Sequence, residues 1–132
     1  MKKLSISMAL CVAATLAGTT ALAGYKYVAG VTVDLVNRKA SGSLADARAS
    51  ADTLQYIGCR TDAPSSTGNL SIYCAAQDAK GVKASCYSSA QNFVQMMSSL
   101  RSDSILIFTW DANNTCTSLN VENWSSNSPK QP

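Results

Sequence analysis

The residues able to do chemistry in this chain are few, and the first fact about them is an absence: its 132 residues include no histidine. The commonest general base is therefore missing, and Ser-His-Asp or Cys-His machinery cannot be assembled within one chain. No S-x-x-K, G-x-S-x-G, phosphate-loop or dinucleotide-binding glycine pattern occurs either. What is left for catalysis is a pair of carboxylates, as in a glycosidase. The candidates are Asp34, Asp46, Asp52, Asp62, Asp78, Asp103, Asp111 and Glu122. Nearly all stand beside predicted turns or helix ends, where aspartate caps backbone N–H groups, so no catalytic residue is assigned. Asp111, Asn113 and Asn114 alternate oxygen ligands like part of a calcium loop. They lack the glycine and the distal glutamate of such a loop and read as a hairpin turn. No cofactor or metal is expected.

The cysteines carry more information. There are five, at 11, 59, 74, 86 and 116. Cys11 lies in an apolar run, Leu4 to Leu16, that follows Lys2 and Lys3 and precedes Ala21-Leu22-Ala23. A basic start, a short apolar core and small residues at the cleavage positions describe a secretory signal over residues 1–23. The apolar core is short for a membrane span, and Leu10 before Cys11 argues against lipid attachment there. Cleavage would remove Cys11 and leave Cys59, Cys74, Cys86 and Cys116, an even number in an exported chain, which points to two disulfides. Zinc is the competing use, but no C-x-x-C pair is present. Cys59–Cys74 with Cys86–Cys116 is the preferred pairing; its chief competitor joins Cys74 directly to Cys86.

Maturation also changes the charge. The whole chain has eleven Lys and Arg against eight Asp and Glu; without Lys2 and Lys3 the count is nine against eight, a net charge of +1. A nearly neutral chain with no basic cluster lacks the footprint of a nucleic-acid binder. Once the signal is gone, no membrane association is expected. The dilysine signal is of bacterial style, so the address is the periplasm or the medium.

Candidate binding residues are aromatic and come from the clearest element of the chain, the hairpin from Leu70 to Ser88. Asp78-Ala79-Lys80-Gly81-Val82 reads as a three-residue loop with Gly81 left-handed. Pairing Asp78 with Val82 sets Ala76 opposite Ala84, Cys74 opposite Cys86 and Ile72 opposite Ser88 on one face. The wetter face then carries Tyr73 opposite Tyr87 and Gln77 opposite Lys83. Tyr73, Tyr87 and Lys83 form one candidate patch for a partner protein or a glycan, because exposed tyrosines give large contact area at small entropic cost. The bland alternative is a cross-strand pair that only stabilises the sheet. Trp124, near the C-terminus, is the other candidate.

The remaining elements must position that patch. Tyr25 to Val36 alternates like a strand, and Asn37 to Gly42 reads as a polar connector. Ser43 caps a short helix over 43–52, Leu54 to Thr61 is a strand, and Asp62 to Asn69 is a loop. Phe93, Met96, Met97 and Leu100 fall on one stripe of a helix over 90–101. Ser104 to Trp110 and Thr115 to Val121 form a second hairpin, with Thr109 opposite Thr117, Ile107 opposite Leu119 and Ile105 opposite Val121. Residues 123–132 read as an irregular tail. The whole predicts one α+β domain over 24–122, an antiparallel sheet of five to six strands carrying one long and one short helix. The functional expectation is a small secreted or periplasmic non-enzymatic protein, an interaction or inhibitor-like module. A secreted carboxylate-dependent hydrolase is the alternative, and an envelope-associated structural protein the third reading.

Overall fold

The computed structural model describes residues 24–65 and 68–129; the expected signal, with Cys11, lies outside them. The chain is α+β, as expected, but its strands form two antiparallel sheets rather than one. β1 (Thr32–Asp34), β2 (Lys39–Ser43), β6 (Ile105–Trp110) and β7 (Cys116–Glu122) make a four-stranded sheet in the order β1-β2-β6-β7. β3 (Tyr56–Asp62), β4 (Ser71–Gln77) and β5 (Lys83–Ser88) make the second. Helix α1 (Leu44–Ala49) follows β2, and α2 (Gln91–Met96) connects the sheets.

The break falls between β5 and β7. β5 meets the residue just before β7 at a single parallel bridge, Tyr87 with Thr115, where the Tyr87 N–H donates to the Asn114 carbonyl at 3.0 Å. Beyond it the two strands are not hydrogen-bonded to one another, and α2 packs against β4 of one sheet and β7 of the other. The shared core holds Phe108, Ile72, Leu106, Cys74 and Cys86, all fully buried. Cys59–Cys74 staples the three-stranded sheet internally, and Cys86–Cys116 ties one sheet to the other. Among the described residues, no helix is long and apolar enough to cross a membrane.

The β4–β5 register has Tyr73 facing Tyr87, Cys74 facing Cys86 and Ala76 facing Ala84, with Gly81 left-handed at φ 82°. The second hairpin departs from expectation by one residue. Trp110 faces Cys116, but Thr109 faces Ser118, Phe108 faces Leu119 and Ile107 faces Asn120, so Thr117 is the extra residue of a bulge. The bulge turns Leu119 onto the core face beside buried Phe108, whereas the unbulged register would set it against half-exposed Ile107.

The largest correction is β2. Lys39 to Gly42, read from sequence as connector, instead forms with Ser43 an interior strand paired with β1 and β6. Its residues have poor strand propensity, but propensity yields to packing. Ala40 and Ser43 are fully buried, and Gly42 lies so close to Val31 that an added Cβ would come within 3.0 Å of the Val31 Cα. The long first strand correspondingly shrinks to three residues, and Leu35 and Val36 belong to the turn.

Both helices are shorter than their patterns. α1 is capped by Ser43, whose Oγ accepts from the Asp46 N–H at 3.1 Å, and it ends at Ala49. α2 ends at Met96 and tightens into a 3-10 turn, Met97–Ser99. The hydroxyls of Ser98 and Ser99 bond back to the carbonyls of Gln95 and Met96, which competes with helix continuation. The expected stripe of Phe93, Met96, Met97 and Leu100 still packs against the core. The segment after β7 turns at Trp124–Asn127, where the Asn127 side chain donates to the carbonyls of Asp103 and Glu122.

Candidate functional site

The outer face of the three-stranded sheet is laid out in rows by its register. Tyr56, Gln77 and Lys83 form one row, Gly58, Ala75 and Ser85 the next, and Arg60, Tyr73 and Tyr87 the third. Side chains at alternate positions share a face, so the small middle row is a trough between two ridges of large side chains. No atom lies within 4 Å of where a Cβ on Gly58 would stand, which makes that end of the trough open.

Two adjoining depressions occupy it, of about 300 and 270 Å³, sharing Tyr56, Tyr73 and Ala75. Trp110 and Asn114 from the β6–β7 hairpin and Leu35 from the β1–β2 turn close one end. The trough thus straddles the seam between the sheets. Exposed apolar side chains stand at its margin: Leu35 is 58% exposed and Tyr87, on the ridge, 53%, and Val36, next in sequence to Leu35, is 90% exposed. Tyr73 is half-buried, with the Arg60 guanidinium carbon 4.9 Å from its ring centroid. Arg60 also pairs with Asp62 at 3.2 Å, an exposed contact of small energetic weight.

Of the residues singled out from sequence, Tyr73 and Lys83 line the trough and Tyr87 stands on its ridge. Trp124 does not line it; its indole donates to Glu122 at 3.3 Å and its ring is 65% exposed. Sequence reasoning missed Tyr56, Arg60 and Leu35. Tyr56 and Arg60 were legible once β3 was aligned with β4 through Cys59 and Cys74. Leu35 was not, because alternation placed it inside a strand.

Five of the carboxylates accept backbone N–H groups. Asp34 accepts from the N–H groups of Val36 and Asn37, Asp52 from those of Leu54 and Gln55, Asp78 from those of Lys80 and Val82, and Asp111 from those of Asn113 and Thr115. Asp46 accepts from Ala29 at 2.8 Å, pinning the segment before β1 to α1. Three of these carboxyls are held below the usual aspartate range. For Asp34 the main cause is the Asn37 N–H, for Asp52 the Gln55 side-chain amide, and for Asp111 the Thr115 N–H. A hydrogen bond to the ionised form favours it. A larger recess of about 570 Å³ lies against β2 and β6 beneath Tyr27–Gly30, with Lys39 and Glu122 on its wall.

No family model, no characterised protein and no solved structure matches this chain.

Proposed function

We propose that the chain is a small exported, non-enzymatic binding module, interaction- or inhibitor-like, that grips a protein or glycan outside the cytoplasm along the Tyr56–Tyr73 trough. The observation that carries this reading is the trough itself: small residues Gly58, Ala75 and Ser85 between ridges of Tyr, Arg and Lys, flanked by exposed Leu35 and Val36. Rigid aromatic walls supply contact area at low entropic cost, and clustered exposed apolar groups are the usual mark of an interaction surface. Two disulfides and the absence of a membrane-crossing helix among the described residues are compatible with the periplasm or the medium.

Gly58 offers the test. A Gly58→Leu side chain enters open space, so it fills the trough while sparing the core. Immobilised oxidised protein is challenged with extracellular or periplasmic fractions and with a glycan array. The wild type is expected to retain a ligand that Gly58→Leu and Tyr56→Ala both lose, with melting temperatures unchanged for Gly58→Leu. A ligand retained equally by all three would move the site elsewhere on the molecule.

A further inference from the structure

The four cysteines of the described residues form a single cluster rather than two separate staples. Cys59 faces Cys74 across β3–β4, and Cys74 faces Cys86 across β4–β5. The sulfurs of Cys74, Cys86 and Cys116 all lie within 4.8 Å of one another. Accessibility within the cluster is graded. Cys74, Cys86 and Cys116 are buried, while Cys59, on the edge strand of its sheet, is partly open to solvent. Thiol–disulfide exchange requires a thiolate to reach a sulfur, and the thiol it releases can pass the exchange on only if another disulfide is within reach.

We propose that Cys59 is an acceptor site for an external thiol, and that the cluster relays this attack into the bridge between the sheets. A small thiolate attacks the Cys59 sulfur, forming a mixed disulfide there and releasing Cys74 as thiolate. Cys74 then attacks the Cys86 sulfur, forming Cys74–Cys86 and releasing Cys116, which takes a proton from water. One disulfide is exchanged for another at each step, so no oxidant is consumed. The product pairs directly opposed residues of one hairpin, and Cys116 is the leaving group because Cys74–Cys86 lies wholly within one sheet. The consequence is mechanical: Cys86–Cys116 is the covalent tie between the two sheets, and the relay cuts it without touching Cys116 from solvent.

The test uses the native oxidised protein with limiting reduced glutathione under anaerobic conditions, followed by acid quenching, alkylation and peptide mapping. Arg60, Lys80, Lys83 and Arg101 place Cys59, Cys74, Cys86 and Cys116 in four separate tryptic peptides. The expected product carries glutathione on Cys59, a Cys74–Cys86 bridge and alkylated Cys116. A free Cys74 beside an intact Cys86–Cys116 bridge overturns the relay, as does first capture at Cys86 or Cys116, or release of Cys86 in place of Cys116. The same products in the same proportions under denaturing conditions would mean random scrambling and also overturn it. In a Cys116→Ser variant, Cys86 starts unpaired and is expected to capture Cys74, freeing Cys59 with no added thiol; retention of Cys59–Cys74 alone counts against the proposal.

Discussion

At the scale of single residues, aspartate is the organising type. Asp34, Asp78 and Asp111 each open a hairpin turn by accepting two backbone N–H groups, and a left-handed residue follows in each: Arg38, Gly81 and Asn114. Asp52 does the same for the approach to β3. Because the folded loops favour the ionised carboxylates of Asp34, Asp52 and Asp111, their folded pKa values lie below the unfolded ones. The stabilisation is therefore present above the unfolded carboxylate range, near pH 4, and is lost as pH falls through the lower folded values. Melting temperature recorded against pH is expected to drop below about pH 4. A triple Asp34→Asn, Asp52→Asn, Asp111→Asn variant should show a flatter profile over that interval. An unchanged slope would assign the acid sensitivity to other groups.

At the scale of elements, β2 decides the architecture, since it joins β1 to β6. Its packing predicts an asymmetry between two glycines. Gly42→Ala would drive a Cβ to within 3.0 Å of the Val31 backbone, so a loss of about 1–3 kcal/mol is expected from overpacking. Gly58→Ala meets nothing within 4 Å and should stay within about 0.5 kcal/mol of wild type. Urea denaturation of the two variants reads the difference, and equal effects would refute the burial of β2 under Val31. The first hairpin was legible because Asp78, Gly81 and two cysteines agree on one register. β2 was not, because Lys39–Ser43 contains no β-branched or aromatic residue and its strand character comes wholly from its neighbours. The bulge at Thr117 was hidden for a related reason: Thr109 facing Thr117 is a chemically matched pair, and their hydroxyls do meet at 2.8 Å. The bulge keeps that contact and still brings Leu119 onto the core face.

For the whole molecule, stability rests on a modest shared core closed by two cross-links. In the chain-entropy view, a bridge across 30 residues constrains the unfolded chain slightly more than one across 15, by roughly 0.6 kcal/mol. Cys86–Cys116 also joins the sheets, so the Cys86→Ser, Cys116→Ser double variant is expected to lose about 2–5 kcal/mol and more than its Cys59→Ser, Cys74→Ser counterpart. Amide exchange on the first of these variants should rise most where the sheets meet, at Tyr87 and Thr115. Greater loss from removing Cys59–Cys74 would mean that the staple within one sheet dominates. The trough belongs to this scale too, since its walls come from both sheets.

Sequence alone determined the local matters: the α+β class, the β4–β5 register, the cap at Ser43, the apolar stripe from Phe93 to Leu100, and a preference among disulfide pairings that is also the one seen in the fold. All but the disulfide preference are set by residues close in sequence, so the information is carried where it acts; the pairing preference came from aligning strands through their cysteines. Tertiary structure decided the division into two sheets, the strand Lys39–Ser43, the bulge, and the meeting of Leu35, Tyr56 and Tyr73 in one trough. Those depend on which distant strands and helices pack together and on what a buried backbone must pair with, and burial is a property of the assembled chain rather than of any segment of it.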